Sequence, residues 1–262
     1  MNYLRGSSKL PVRVAALCGG ILLLGAASAQ EQAAAEAPAA PHTFSANVGL
    51  FSEYVFRGIT NSNEGPAIQG GFDYAHESGF YLGVWASNIE FGGGPASNTA
   101  SIETDFYGGF AGSFANRIGW DVGLIYYAYP DQNEDVAADY NYFESYGKLH
   151  YTWEGIQLAP ALEVGVYYSP DYFGEDGDGV YTYGTFAATL PYDFSPYVTI
   201  GYQYVDGDQT SGPVGYDYVH YAIGVSKTMG QFTADLSWQD ARDLSACTDN
   251  CEAVVFSVSS SW

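Results

Sequence analysis

Positive charge is scarce in this chain. Eight Lys and Arg stand against thirty Asp and Glu, giving a formal net charge of −22. Arg5, Lys9 and Arg13 lie near the N-terminus, so the rest of the chain keeps only Arg57, Arg117, Lys148, Lys227 and Arg242. No basic surface is available to neutralise phosphates, which excludes nucleic acid as a partner. Long apolar runs are also missing. Beyond the N-terminal segment no stretch approaches the ~18 apolar residues of a membrane-spanning helix. Catalytic signatures are absent too: there is no G-x-S-x-G, and Ser226 sits in the unrelated context GVSKTMG. The four histidines are His42, His76, His150 and His220, and none falls in a long polar connection. A lipid-facing Ser–His pair would suit a phospholipase, but His220 is expected to face the other way. No enzymatic activity and no cofactor is therefore expected.

Cysteine is limited to Cys18, Cys247 and Cys251. The pair Cys247 and Cys251 reads as a small disulfide in an oxidising compartment. A C-x-x-x-C metal pair is the alternative, but no His accompanies it, and no metal site is expected.

The N-terminus reads as an export signal over residues 1–29. The three bases form a positive region, Val14 to Gly25 is a short apolar core, and Ala27-Ser28-Ala29 is a small-x-small cleavage pattern. Cys18 raises a lipoprotein alternative, but Leu17 precedes it where lipoprotein processing wants a small residue. Residues 30–42, rich in Ala, Glu and Pro, read as a flexible periplasmic leader. Residues 43–262 then form one domain.

What the chain has in abundance is aromatic residues and glycine: 24 Tyr, 15 Phe, 5 Trp and 32 Gly, nearly all of them in that domain. Disorder is the plain reading of strong acidity, and this aromatic content argues against it. A soluble core would lean on Leu, Ile and Val. A membrane barrel needs aromatic girdles and small residues in a crowded wall.

Alternation with period two is the dominant pattern. Phe44, Ala46, Val48, Leu50, Tyr54 and Phe56 share one face of the first run; Ser45, Asn47, Gly49, Glu53 and Arg57 share the other. Similar runs recur along the chain and predict strands near 44–58, 66–76, 79–89, 101–111, 118–129, 140–152, 157–169, 179–190, 196–206, 216–227, 230–241 and 253–262. Short turns at 77–78, 113–117, 153–156, 191–195 and 229–230 alternate with longer acidic loops at 59–65, 90–100, 130–139, 170–178, 207–215 and 242–252. That asymmetry predicts an all-β, transmembrane, antiparallel up-and-down barrel of about twelve strands with both termini periplasmic. A β-sandwich also alternates, but its interior would not hold so many Asp, Glu and Tyr. The ending AVVFSVSSSW, with Phe256, Val258 and the terminal Trp262, is similar to the assembly signal of bacterial outer-membrane proteins. The expected partners are outer-membrane lipid and lipopolysaccharide, the barrel assembly machinery and a small solute.

By parity the inward face holds Glu53, Asp73, Glu103, Asp105, Asp121, Glu144, Glu163 and Asp235, with Arg57, Lys148 and His220 as its bases. Gln69 lies diagonally near Arg57 if a hairpin joins 58 to 66. Such a lumen favours cations or neutral solutes. The other possibility is a filled, non-conducting interior serving a structural or adhesive role, since twelve strands fall between a packed eight and an open sixteen. Arg57 is expected to act either as a constriction that orients solute or as an ion pair pinning the lumen network. Glu175 to Gly179 (EDGDG), with Asp171, offers oxygen ligands for a divalent cation, but Asp-Gly turns are also plain connectors.

Residues 47–91 resemble the TorF-like porin family, a proteobacterial outer-membrane group of largely unknown function. The resemblance rests on Ser52, Tyr54, Arg57, Gly58, Pro66, Gln69, Gly70, Asp73, Trp85, Ser87 and Asn88. It continues through Asp105 to Gly109, Tyr168 to Asp171 and Val254 to Val258. It implies an outer-membrane barrel with a channel role and names no solute.

Overall fold

A computed structural model describes residues 41–91, 100–114, 117–133, 139–207, 215–242 and 251–262. The expected signal and most of the leader lie outside these residues, as do Cys247 and parts of the expected acidic loops at 90–100, 130–139, 207–215 and 242–252. Cys251 is disulfide-bonded.

Twelve antiparallel strands close into a barrel. In chain order they are β1 (His42–Phe51), β4 (Ala67–His76), β5 (Phe80–Asn88), β6 (Ile102–Phe114), β7 (Ile118–Ala128), β8 (Tyr142–Thr152), β9 (Ala161–Ser169), β10 (Gly179–Ala187), β11 (Phe194–Val205), β12 (Tyr216–Met229), β13 (Phe232–Arg242) and β14 (Ala253–Ser261). Two short strands, β2 (Val55–Phe56) and β3 (Ile59–Thr60), form a separate hairpin. Each long strand pairs with its neighbour in sequence, and β1 closes the ring on β14 from Asn47↔Ser261 to Phe51↔Ser257. The Trp262 amide donates to the Ala46 carbonyl at 3.0 Å and the Ala46 amide returns the bond at 2.9 Å. The first and last strands therefore begin and end on the rim that carries the short turns.

Alternation decides which side chain faces where. Phe44, Leu50, Ile68, Phe72, Leu82, Phe106 and Ile200 all stand outward and exposed. An apolar belt that wide is unfavourable in water and matched to hydrocarbon. Near the short-turn rim Phe44 stacks on Phe72 and packs beside Tyr74. At the other rim outward Tyr202 and Tyr204 donate hydroxyls to Asp217 and Asp206, both at 2.8 Å. An aromatic body with a wet polar tip is the chemistry of a membrane interface.

The interior is built on glycine and tyrosine together. Tyr107 on β6 crosses Gly83 on β5 and donates to Asp73 on β4 at 2.5 Å. Tyr197 on β11 crosses Gly224 on β12 and donates to Asp235 on β13 at 3.2 Å. Tyr181 on β10 crosses Gly201 on β11 and bonds His220 Nδ1 on β12 at 2.8 Å. Each ring lies where a Cβ on the crossed glycine would sit, so each hydroxyl reaches the strand beyond. The abundance of both residue types follows from this bracing.

Two expectations change. The first strand stops at Phe51 instead of running to 58, and the segment expected as an outer loop at 59–65 turns into the barrel. The seventh predicted strand begins at Ala161 instead of 157, because Leu158 and Ala159 take φ values of 76° and 36°, which no strand accommodates.

Candidate functional site

After Phe51 the chain is held once more to the seam: the Ser52 amide donates to the Phe256 carbonyl at 2.8 Å, and Ser52 Oγ accepts from the Phe256 amide at 2.9 Å. It then leaves the wall. Tyr54 donates its amide to Ser62 Oγ at 2.8 Å, and Asn61 donates to the Tyr54 carbonyl at 2.7 Å, which ties the base of the inserted hairpin. Val55 pairs with Thr60 and Phe56 with Ile59. Arg57 and Gly58, with φ of 50° and 85°, form the two-residue turn between them. Positive φ at both positions is the type I′ geometry that suits the twist of a hairpin, and Gly serves its second position. Gly58 is also sterically required. A Cβ there would come within 2.9 Å of the Asp240 carbonyl oxygen and 3.1 Å of His220 Cδ2. The tip thus reaches the β12–β13 wall from its root beside β1.

Arg57 fills the centre. Its guanidinium donates to Glu144 on β8 through both nitrogens, Nη1 to Oε1 at 3.0 Å and Nη2 to Oε2 at 2.7 Å, and to Gln203 Oε1 on β11 at 2.9 Å. It lies over the rings of Tyr181 on β10 at 4.3 Å and Tyr167 on β9 at 4.9 Å, with its neighbour Phe56 at 4.7 Å. Arg57, Glu144 and Gln203 are all buried, Glu144 and Gln203 completely. A bidentate charged pair out of water is among the stronger hydrogen-bonded arrangements. It holds the side chain on a left-handed backbone that costs a non-glycine residue ~1–2 kcal/mol.

The other inward residues surround this clamp. Glu103 on β6 accepts from Tyr54 at 2.7 Å, Tyr129 at 3.2 Å and Asn61 at 3.4 Å. Asp105 is buried beside it, and its Oδ1 has no hydrogen-bond partner among the described residues. Toward the short-turn rim Asp121 on β7 accepts from Tyr81 at 2.5 Å and lies 4.0 Å from Lys148 Nζ on β8, while Glu163 on β9 accepts from Tyr183 at 2.6 Å. Asp73, Asp235 and His220 belong to the tyrosine crossings. Gln69 on β4 is buried, and so is Glu53 after β1. At the mouth Asp131 accepts from the Ser101 hydroxyl and amide. Burial works against its charge, but these bonds outweigh it and hold the carboxyl below its usual range.

Arg57 therefore does not sit on the first strand near Gln69, as the sequence implied. It reaches across the lumen to partners far along the chain. Gln203, Tyr167 and Tyr181, which complete the clamp, were not singled out from sequence. The run Val55-Phe56-Arg57-Gly58-Ile59-Thr60 does carry the hairpin signal, a Gly in the second turn position flanked by β-formers.

A family described as “Bacterial protein of unknown function (Gcw_chp)” matches residues 34–262. No curated protein matches by sequence. Among solved structures, a KdgM porin in complex with disordered oligogalacturonate is similar with a TM-score of 0.50 and 10% identity, over 84% of this chain and 98% of that one. A NanC porin is similar with a TM-score of 0.51 and 10% identity, over 83% of this chain and 98% of that one. Both share the barrel.

Proposed function

The chain belongs to that bacterial family of unknown function, matched over residues 34–262, and we propose that it is a porin-like channel of the bacterial outer membrane, narrowed by its own first loop. In this reading the N-terminal signal directs export and is cleaved, the carboxy-terminal strand is read by the barrel assembly machinery, and the short-turn rim and both termini face the periplasm. The resemblance to TorF-like porins and the barrel shared with two porins support the channel role.

The observation that carries the reading is the interior charge. Asp73, Glu103, Asp105, Asp121, Glu163 and Asp235 face inward, and Arg57 is already neutralised by Glu144. Such an interior attracts cations, admits neutral solutes and repels anions. A polyanion such as the oligogalacturonate bound to the KdgM porin does not suit it. The burial of the Arg57–Glu144–Gln203 clamp favours a second reading, a barrel closed at this level.

Single-channel recording of the purified protein in a planar bilayer tests the proposal. Wild type should pass small cation currents, and Arg57→Gly, which keeps the turn and removes the side chain that fills the centre of the lumen, should pass larger ones. Absence of current in both inserted proteins would support the closed barrel instead.

A further inference from the structure

The place that Arg57 occupies is built by the wall. Glu144 accepts a further bond from Tyr127 on β7 at 2.9 Å. Gln203 donates its amide nitrogen to the carbonyls of Val180 at 3.3 Å and Tyr204 at 3.2 Å, which turns its carbonyl oxygen toward the lumen. Tyr181 is fixed through His220. Tyr167, Tyr181 and Gln203 stand directly opposite one another across β9, β10 and β11. The carboxylate fork, the amide oxygen and the Tyr181 face are therefore each held by wall contacts that do not involve Arg57, and the Tyr167 face packs beside Tyr181. Together they form a cage for a planar cation: the fork matches two parallel N–H bonds, and the rings take the flat face.

The occupant is held less firmly than the cage. It rides on a hairpin of two residue pairs and on a left-handed backbone that a non-glycine residue adopts at a cost. We propose that this cage is the solute-recognition site of the channel, that its solutes are small organic cations bearing a guanidinium group, and that Arg57 is a resident surrogate which such a solute displaces. This rests on the channel reading above. Displacement by a cation keeps Glu144 compensated, whereas a neutral or anionic solute would leave a buried charge without a partner. Asp105, buried nearby with its Oδ1 unpartnered among the described residues, adds to the preference. The tethered Arg57 competes at high effective concentration, so the free cage binds more tightly than the wild-type barrel.

The test uses methylguanidinium on refolded Arg57→Gly barrel, with methylammonium and tetramethylammonium chloride at equal ionic strength as controls. Methylguanidinium should raise the unfolding temperature of Arg57→Gly saturably and change its tyrosine fluorescence, at concentrations at least about ten-fold below those acting on wild type. Arg57→Gly/Glu144→Gln should not respond. A folded Arg57→Gly that shows no saturable response, or the same response after Glu144→Gln, overturns the cage. Where Arg57→Gly does not fold alone, refolding in methylguanidinium should recover it, and failure to do so counts against the proposal. Wild type gives an independent reading: methylguanidinium added to KCl should raise the open probability of its channels, and an unaffected K⁺ current overturns the displacement. Stabilisation of Arg57→Gly without K⁺ current in either protein would overturn the channel and keep only the binding site.

Discussion

The ring of Tyr107 occupies the space that a Cβ on Gly83 would need. The two residues are directly paired across β5 and β6, and the overlap is what lets the Tyr107 hydroxyl reach Asp73 on the far side. Gly83→Ala should push the ring aside and break that bond, at about 1–3 kcal/mol for overpacking and a lost hydrogen bond to a carboxylate. Thermal unfolding of the inserted barrel would show it. In Tyr107→Ala the same Gly83→Ala change should be nearly silent, and additive losses would refute the coupling.

The two rims should differ in access. A cysteine in place of Asn63, exposed beyond the inserted hairpin, should react with an impermeant thiol reagent on intact cells, and one at Ser78 or Tyr192 should not. Asn61, expected from sequence to be an outer-loop position, is a poor reporter because its side chain points to Glu103. Equal labelling at both rims would undo the assigned orientation.

Trp262 is exposed and bonds Ala46 only through its backbone. Trp262→Asp keeps those backbone groups, so any loss belongs to the side chain. Reduced insertion, read as loss of the heat-modifiable band with protein left in the periplasm, is the expected outcome. Normal insertion would remove the basis for treating Phe256, Val258 and Trp262 as a sorting signal.

Ion preference should follow the interior acids. The reversal potential in a KCl gradient should report cation selectivity that fades as salt is raised, because screening shortens the reach of fixed charge from ~10 Å at 0.1 M to ~3 Å at 1 M. Replacing Asp121, near the short-turn side of the clamp, with Asn should lower the preference. Anion selectivity would contradict the assignment.

The strands were legible because their signal is local: a period of two with apolar residues on the lipid side appears within the ten or so residues of a single strand. The inserted hairpin was not, because its apolar residues stay in phase with the strand before it. Phe44, Ala46, Val48, Leu50, Tyr54 and Phe56 keep one phase across the single interruption at Ser52, and no Gly or Pro marks the departure there. Inward parity located Glu144 and Arg57 separately. Their meeting, across 87 residues, depends on barrel closure and hairpin direction, which no local pattern encodes. Gln203 went unnoticed because an amide within a tyrosine-rich strand has no charge to draw attention to it.

The seam between β1 and β14 joins the first and last strands of the barrel, and the inserted hairpin hangs directly from it. Glu144 and Gln203 lie on strands that emerge much later than Arg57 during synthesis. The guanidinium can find them only when the wall has curved far enough to enclose it. The clamp therefore joins the first part of the wall to strands made much later, and a chain whose wall had not yet curved would carry Arg57 loose and Glu144 uncompensated. The ion pair distinguishes a finished molecule from an unfinished one, and a guanidinium-sensitive stability would be a property of the finished form alone.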